Sequence, residues 1–209
     1  MTQYGFHFDA TRCTGCKTCV LACKDAKDLT CDQAFRRVYE FETGVGWTAD
    51  ENGCWTCGAS AYYVSSACNH CDNPACVEAC PAGSMTKHDE DGLVYNDPET
   101  CIGCGACAQA CPYGVPAIDV EHSLSIKCDG CHERVAAGLM PTCVSACPMR
   151  ALDFGPIDEL REKYGETAAI APLPDPSVTG PNVVITPCRD ALEVGAEGSV
   201  VNENELALA

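Results

Sequence analysis

The feature that most limits what this chain can fold into is Cys101-Ile102-Gly103-Cys104-Gly105-Ala106-Cys107-Ala108-Gln109-Ala110-Cys111-Pro112, a C-x2-C-x2-C-x3-C-P run. Three thiolates on one tight loop reach three irons of a [4Fe-4S] cubane, and a fourth, leaving on the next turn, points toward a second cluster. Gly103 and Gly105 suit a backbone that wraps closely around sulfide with its N–H groups turned inward, because glycine has no Cβ in the way. Pro112 turns the chain away after the last cysteine.

The run recurs. It stands first as Cys13-x2-Cys16-x2-Cys19-x3-Cys23, then as Cys68-x2-Cys71-x4-Cys76-x3-Cys80-Pro81, and last, in split form, as Cys128-x2-Cys131-x11-Cys143-x3-Cys147-Pro148. Sixteen of the 20 cysteines therefore fall into four groups of four. A structural zinc site needs two well-separated C-x2-C pairs and gives no reason for a third cysteine in the loop or for the closing prolines. The reading is four iron–sulfur clusters.

Composition narrows how such clusters are used. Cysteine at this density marks a disulfide scaffold in a short secreted chain. Met1 to Asp9, however, has neither a basic n-region nor an apolar h-region, so no signal peptide is expected. No stretch approaches the roughly 18 consecutive apolar residues of a membrane span. The formal net charge is −17, and four clusters of charge −2 would take it to about −25. Phosphate binding needs the opposite balance, which excludes nucleic acid as a partner and favours docking on a basic protein face.

Short elements are expected around the loops. Tyr4 to Asp9 alternates as a strand, as does Arg36 to Phe41, and Gly92–Tyr95, Pro116–Val120 and Ala151–Phe154 read as short strands beside the clusters. Ala108–Ala110 and Val144–Ala146 read as single helical turns. A helix is expected from Pro156, with Asp158 and Glu159 in its first turn and Gly165 at its end. Gly44, Gly46 and Gly53 mark turns in an inserted segment over 24–67. After the helix, the prolines of Ala171–Pro176 and Gly180-Pro181 exclude helix and central strand, so the tail is expected to lie extended over a surface, with 193–209 mobile.

Other residues have plainer readings. Cys31, Cys54, Cys57 and Cys188 stand outside the groups; they read as plain thiols, although Cys54-Trp-Thr-Cys57 has the spacing of a redox pair or half a zinc site. His70, between Cys68 and Cys71, is expected to hydrogen-bond or face a partner rather than to ligate. Arg36, Arg37 and Lys127 read as solvated surface, with docking or tuning of a cluster potential as the functional alternative. Trp47 and Trp55 read as packing residues of the inserted segment, with an interface role as the alternative.

Taken together, Arg12-Cys-Thr-Gly-Cys-Lys-Thr-Cys19, Ala22-Cys-Lys-Asp25, Cys68-Asn-His-Cys71, Lys127-Cys-Asp-Gly-Cys131 and Ala151-Leu-Asp-Phe-Gly-Pro-Ile-Asp-Glu-Leu-Arg161 resemble the electron-transfer subunits (B subunits) of dimethyl sulfoxide reductase-type molybdenum oxidoreductases, a four-cluster ferredoxin-like family. The likeness runs from about Tyr4 to Pro187. It implies an α+β fold of two bacterial 2[4Fe-4S] ferredoxin-like modules related by pseudo-symmetry. One is formed by 1–60 plus 124–165 and carries groups one and four; the other is formed by 61–123 and carries groups two and three. An extended C-terminal tail, 166–209, completes the chain.

The resemblance also implies the ligand sets. One cluster takes Cys13, Cys16, Cys19 and Cys147, and its neighbour takes Cys23, Cys128, Cys131 and Cys143. In the other module Cys68, Cys71, Cys76 and Cys111 hold one cluster, and Cys80, Cys101, Cys104 and Cys107 hold the last. The implied role is non-catalytic conduction, with no substrate bond broken in this chain. Electrons enter from an integral membrane quinol-oxidising anchor subunit near the Cys80 set and leave near the Cys13 set for a molybdopterin-containing catalytic subunit. The complex is implied to sit on the outer face of the cytoplasmic membrane after export with its catalytic partner, a cytoplasmic position being the alternative. Subunits of formate dehydrogenase or sulfur-oxyanion reductase type, a stand-alone polyferredoxin, and a zinc or disulfide protein are the competing readings.

If clusters supply much of the interior, chelating the iron is expected to abolish the cooperative unfolding transition, followed by circular dichroism. A transition unchanged by chelation would sink the cluster reading.

Overall fold

In the computed structural model, residues 2–44 and 46–206 are described. In chain order they form β1 (Tyr4–Asp9), α1 (Thr18–Ala26), β2 (Arg37–Thr43), β3 (Trp47–Ala49), β4 (Trp55–Cys57), β5 (Ser60–Ser66), α2 (Ala75–Glu78), β6 (Met85–Lys87), β7 (Val94–Asn96) and α3 (Ala106–Ala110). There follow β8 (Ala117–Asp119), β9 (Leu124–Ile126), α4 (His132–Ala136), α5 (Thr142–Ala146), β10 (Leu152–Pro156), α6 (Ile157–Tyr164), β11 (Val183–Thr186), β12 (Ser199–Val200) and α7 (Glu203–Leu206).

The expected strands at Tyr4–Asp9, Arg36–Phe41 and Ala151–Phe154 appear as β1, β2 and β10, and the helix after Pro156 appears as α6, ending at Gly165 with φ 95. Aromatic alternation puts Phe6 and Phe8 into the main core beside Phe154, Val38 and Val64. The opposite face of β1 is also covered. There His7 stacks on Tyr164 of α6 with ring centroids 3.5 Å apart and meets Thr186 Oγ1 at 2.9 Å, so β1 is a strand buried on both sides rather than half-buried.

β1 lies at the centre of a three-stranded sheet, antiparallel to β10 and parallel to β11. A second sheet runs β12-β2-β5, with Val38, Phe41, Tyr62 and Val64 buried. Three short hairpins complete the set: β3–β4, β6–β7 and β8–β9. The last two contain the strands expected near Gly92–Tyr95 and Pro116–Val120; their partners β6 and β9 are three residues long, too short to show alternation.

The tail departs from its expected extended course. Ile170, Ala171 and Leu173 are buried in the main core, and Tyr62 donates to the Ala171 carbonyl at 2.8 Å. Val183–Thr186 enters the central sheet as β11, because the β-branched run follows Gly180-Pro181 and pairs with β1 once past them. Within 193–209, β12 pairs with β2 and Asn202 donates to the Val38 carbonyl at 2.8 Å; 207–209 lie outside the described residues. Trp47 and Trp55, expected to pack, sit on the β3–β4 hairpin at 68% and 66% exposure.

Gly5 and Gly155 face one another across β1 and β10, but only one is crowded. A Cβ on Gly5 would lie 2.5 Å from the Asn182 carbonyl oxygen and 2.6 Å from Ile157 Cδ1, whereas one on Gly155 would meet nothing within 4 Å. G5A is expected to cost about 1–3 kcal/mol by overpacking and G155A to stay within about 0.5 kcal/mol, measured by denaturant unfolding. Equal effects would refute this packing account.

Four cysteine cradles as candidate cluster sites

The loops that carry the cysteines turn on left-handed residues. Gly15 and Lys17 have φ 67 and 59, Gly103 and Gly105 φ 63 and 77, and Gly130 and Cys131 φ 69 and 54. At Gly103 the close approach also excludes a side chain, since a Cβ would lie 2.3 Å from the Ser123 carbonyl oxygen. Such turns aim successive N–H groups into one concavity, a nest that favours an anion. Backbone N–H groups reach sulfur at four cysteines: Cys68 Sγ from His70 N at 3.5 Å, Cys101 Sγ from Ser125 N at 3.3 Å, Cys128 Sγ from Gly130 N at 3.4 Å and Cys147 Sγ from Ala151 N at 3.3 Å.

Three cavities each collect four cysteines. Cys13, Cys16, Cys19 and Cys147 line one, Cys68, Cys71, Cys76 and Cys111 line a second, and Cys80, Cys101, Cys104 and Cys107 line a third. In each, the last cysteine of one run joins the first three of another. The remaining four, Cys23, Cys128, Cys131 and Cys143, are all buried. Burial pushes the Cys23 and Cys143 thiols up, and for both the nearby Cys128 and Cys131 push in the same direction.

The surroundings match a group that presents sulfur to hydrogen-bond donors. Buried Asn69 Nδ2, Tyr113 OH and Thr179 Oγ1 have no partner in the fold, and their residues line the cavity of Cys68, Cys71, Cys76 and Cys111. Serine hydroxyls approach other thiols: Ser65 to Cys19 at 3.5 Å, Ser84 to Cys80 at 3.5 Å and Ser125 to Cys107 at 3.1 Å. Burial alone would raise the Cys80 thiol, but the Ser84 side chain and the N–H groups of Met85, Ser84 and Ala82 outweigh it and hold it at about 7. By contrast, burial lifts Cys13 and Cys71 to about 11 and Cys76 to about 12. Among the described residues, no three His, Cys, Asp or Glu side chains converge tightly enough for a single metal ion. Four cysteines around one cavity, three from one run and one from another, are a donor set that suits a [4Fe-4S] cluster.

Two basic residues expected at the surface are buried. Arg36 is 3% exposed, lies over the Phe6 ring at 5.1 Å and donates to Ser65 Oγ at 3.1 Å. Lys127 is 4% exposed, and its Nζ donates to the carbonyls of Val94 and Cys128. Burial works against both charges, yet the sulfurs prevail and raise both pKa values: Cys143, Cys19, Cys128 and Cys23 around Arg36, and Cys68, Cys128 and Cys76 around Lys127. Arg37 points elsewhere and reaches the Gly114 carbonyl at 2.6 Å.

Of the cysteines outside the groups, Cys31, Cys54 and Cys57 are exposed and Cys188 packs against the main core. Cys54 immediately precedes β4 and Cys57 ends it, and neither is bridged.

Comparison with known proteins agrees with this chemistry. A 4Fe-4S dicluster domain family matches residues 59–157, and a 4Fe-4S binding domain family matches 10–27. The B subunit of the anaerobic dimethyl sulfoxide reductase of Escherichia coli (strain K12) is 53% identical over 206 residues, 98% of this chain and 99% of that subunit. The corresponding B subunit of Haemophilus influenzae is 53% identical over 207 residues, 99% and 100%. The thiosulfate reductase electron transfer subunit of Salmonella typhi is 39% identical over 158 residues, 75% and 78%.

A part of the site that the cysteine pattern does not reveal is the tail. Asp72 N and Asn73 N donate to the carbonyls of Gly180 and Thr179 at 2.7 and 3.0 Å, and Asn182 N donates to the Asn69 carbonyl at 2.8 Å. The Asn182 side chain adds bonds to the His70 carbonyl and Asp72 Oδ1, both 2.9 Å. The tail thus clamps the Cys68–Cys71 loop from outside. N182A is expected to cost about 1–3 kcal/mol, because buried acceptors lose their donor, and to speed amide exchange at 69–73 by hydrogen-exchange mass spectrometry. Unchanged exchange there would show that the clamp does not hold the loop.

Proposed function

This chain is a member of the family of iron–sulfur subunits that includes the B subunit of anaerobic dimethyl sulfoxide reductase, and from that premise we propose that it holds four [4Fe-4S] clusters and conducts electrons between two partners. The donor is an integral membrane subunit that oxidises quinol. The acceptor is a molybdopterin-containing subunit that reduces a terminal acceptor, as in respiration on dimethyl sulfoxide. The proposed ligand sets are Cys13, Cys16, Cys19 and Cys147; Cys23, Cys128, Cys131 and Cys143; Cys68, Cys71, Cys76 and Cys111; and Cys80, Cys101, Cys104 and Cys107. The two-module division, 1–60 with 124–165 against 61–123, with 166–209 as the tail, belongs to the same proposal.

The observation that carries the reading is the gradient of exposure across the four sets. Every cysteine of the Cys23 set is buried, and none of the Cys68 set is exposed, while the outer sets each hold one exposed thiol, Cys16 and Cys104. Exposed Ile102 and Met149 stand beside those outer sets. A conductor between two partners needs a dry middle and reachable ends, and this pattern of exposure supports that reading.

Each cluster, when bound, accepts and releases one electron without a change of ligands. The chain's own residues do the rest. Its N–H groups at Cys68, Cys101, Cys128 and Cys147 favour the more negative, reduced charge state. Arg36 and Lys127 offset negative charge where water is excluded. No substrate bond is broken in this chain. Among the described residues no helix is long and apolar enough to cross a membrane, so membrane attachment runs through the anchor subunit, on the outer face by resemblance. The thiosulfate reductase relative keeps a sulfur-oxyanion acceptor as the second reading, at lower identity over less of the chain.

Anaerobically purified protein is expected to contain about 16 iron and 16 acid-labile sulfide per chain and to co-purify with a large molybdenum-containing subunit. Zinc in place of iron, or no partner, would overturn the proposal.

A further inference from the structure

His70 lies in the Cys68–Cys71 loop with 0% exposure and a left-handed φ of 44. Its ring packs beside Phe6, with centroids 6.3 Å apart. Nδ1 accepts the Val94 N–H at 2.8 Å. A ring nitrogen that accepts carries no proton, so the proton of this neutral imidazole is on Nε2. Nε2–H has no hydrogen-bond partner in the fold, sulfur included. It borders the Cys128–Cys131 loop, where a Cβ on Gly130 would stand 3.4 Å away and where the Gly130 N–H donates to Cys128 Sγ at 3.4 Å, so Cys128 is the cysteine beside it. The backbone N–H of the same residue donates to Cys68 Sγ at 3.5 Å.

One residue therefore turns a donor toward each of the two inner cysteine sets. We infer that His70 is a positioning residue joining the two inner clusters, its backbone N–H on Cys68 and its Nε2–H on the Cys128 thiolate, and that the imidazole raises the potential of the cluster held by Cys23, Cys128, Cys131 and Cys143. The inference rests on the four-cluster reading proposed above. Reduction adds negative charge that spreads onto the thiolates, so an N–H donor stabilises the reduced form more than the oxidised one. The Val94 N–H fixes the tautomer from behind and keeps that donor aimed at sulfur. Because both donors hang on one rigid, buried residue, a change at His70 reaches the junction of the wire rather than either end.

The test uses the full chain purified anaerobically with its partner subunits, by iron analysis and a potentiometric titration followed by electron paramagnetic resonance. In H70N the amide oxygen takes the place of Nδ1 toward Val94, asparagine tolerates the left-handed backbone, and no group reaches Cys128. In H70Q the longer amide returns an N–H near the position of Nε2. H70N is expected to keep its iron and to shift one cluster's reduction equilibrium about tenfold toward the oxidised form, which is about 59 mV for a one-electron couple. H70Q is expected to restore the wild-type potential. Four unchanged potentials in iron-replete H70N would overturn the inference and leave the four-cluster function standing. So would iron loss in both variants, which would assign His70 to packing, or a lowered potential in H70Q. If H70N alone loses iron, a wild-type potential in H70Q supports the inference. Wild-type iron far below about 16 would instead overturn the four-cluster reading, and His70's role with it.

Discussion

The contact on which the rest of this structure depends is a backbone N–H turned toward a cysteine sulfur at a left-handed bend. It occurs at Cys68, Cys128 and Cys147, while Cys101 takes its N–H from Ser125 of β9, and it dictates what surrounds each loop. Glycine or another residue tolerant of positive φ has to stand at the bend, as Gly103, Gly105, Gly130 and His70 do. A one-turn helix then returns the last cysteine of the run, as α3 does for Cys111 and α5 for Cys147. Two-stranded hairpins close the outside of some loops, with Ser84 and Ser125 beside β6 and β9 supplying hydroxyls to Cys80 and Cys107. Cysteines are thereby built into the core itself: Cys68 and Cys128 sit with Tyr113 and Val115, and Cys76 and Cys107 with Met85 and Val94.

Charge is arranged against the sign of the whole molecule. A chain of net charge −17 places two of its few cations in the interior, each where sulfurs of two different sets meet. In water such residues would be worth little to their neighbours; in a dry, weakly polarisable interior the same charges act strongly. Arg36 is buried at the bend that leads into β2, and Arg37, the first residue of β2, is half-buried; only the position of that bend against β5 and Phe6 decides which of the two is interior.

The α+β elements around the loops were largely legible from residues. Alternation revealed β1, β2 and β10, and capping signals revealed α6. The hairpins β6–β7 and β8–β9 were half legible, because a three-residue strand carries no period of its own. The course of the tail was not legible, since its prolines mask the β-branched Val183-Val-Ile-Thr186 run that pairs with β1. Thr179 and Asn182, which approach one cysteine set, left no signal at all: each is an ordinary polar residue far along the chain from the cysteines that it approaches.

By itself the amino-acid sequence determined the chemistry, because cysteine spacing is a local property. Four runs with a third thiol in the loop specify sulfur donors and cluster-forming bends wherever they end up in space. Only the tertiary structure decided which residues border those donors. The burial of Arg36 and Lys127, the tautomer of His70 and the grip of Asn182 on the Cys68–Cys71 loop all depend on contacts between segments up to 113 residues apart. No periodicity or spacing encodes such contacts; they arise when β11 pairs with β1 and the chain closes on itself.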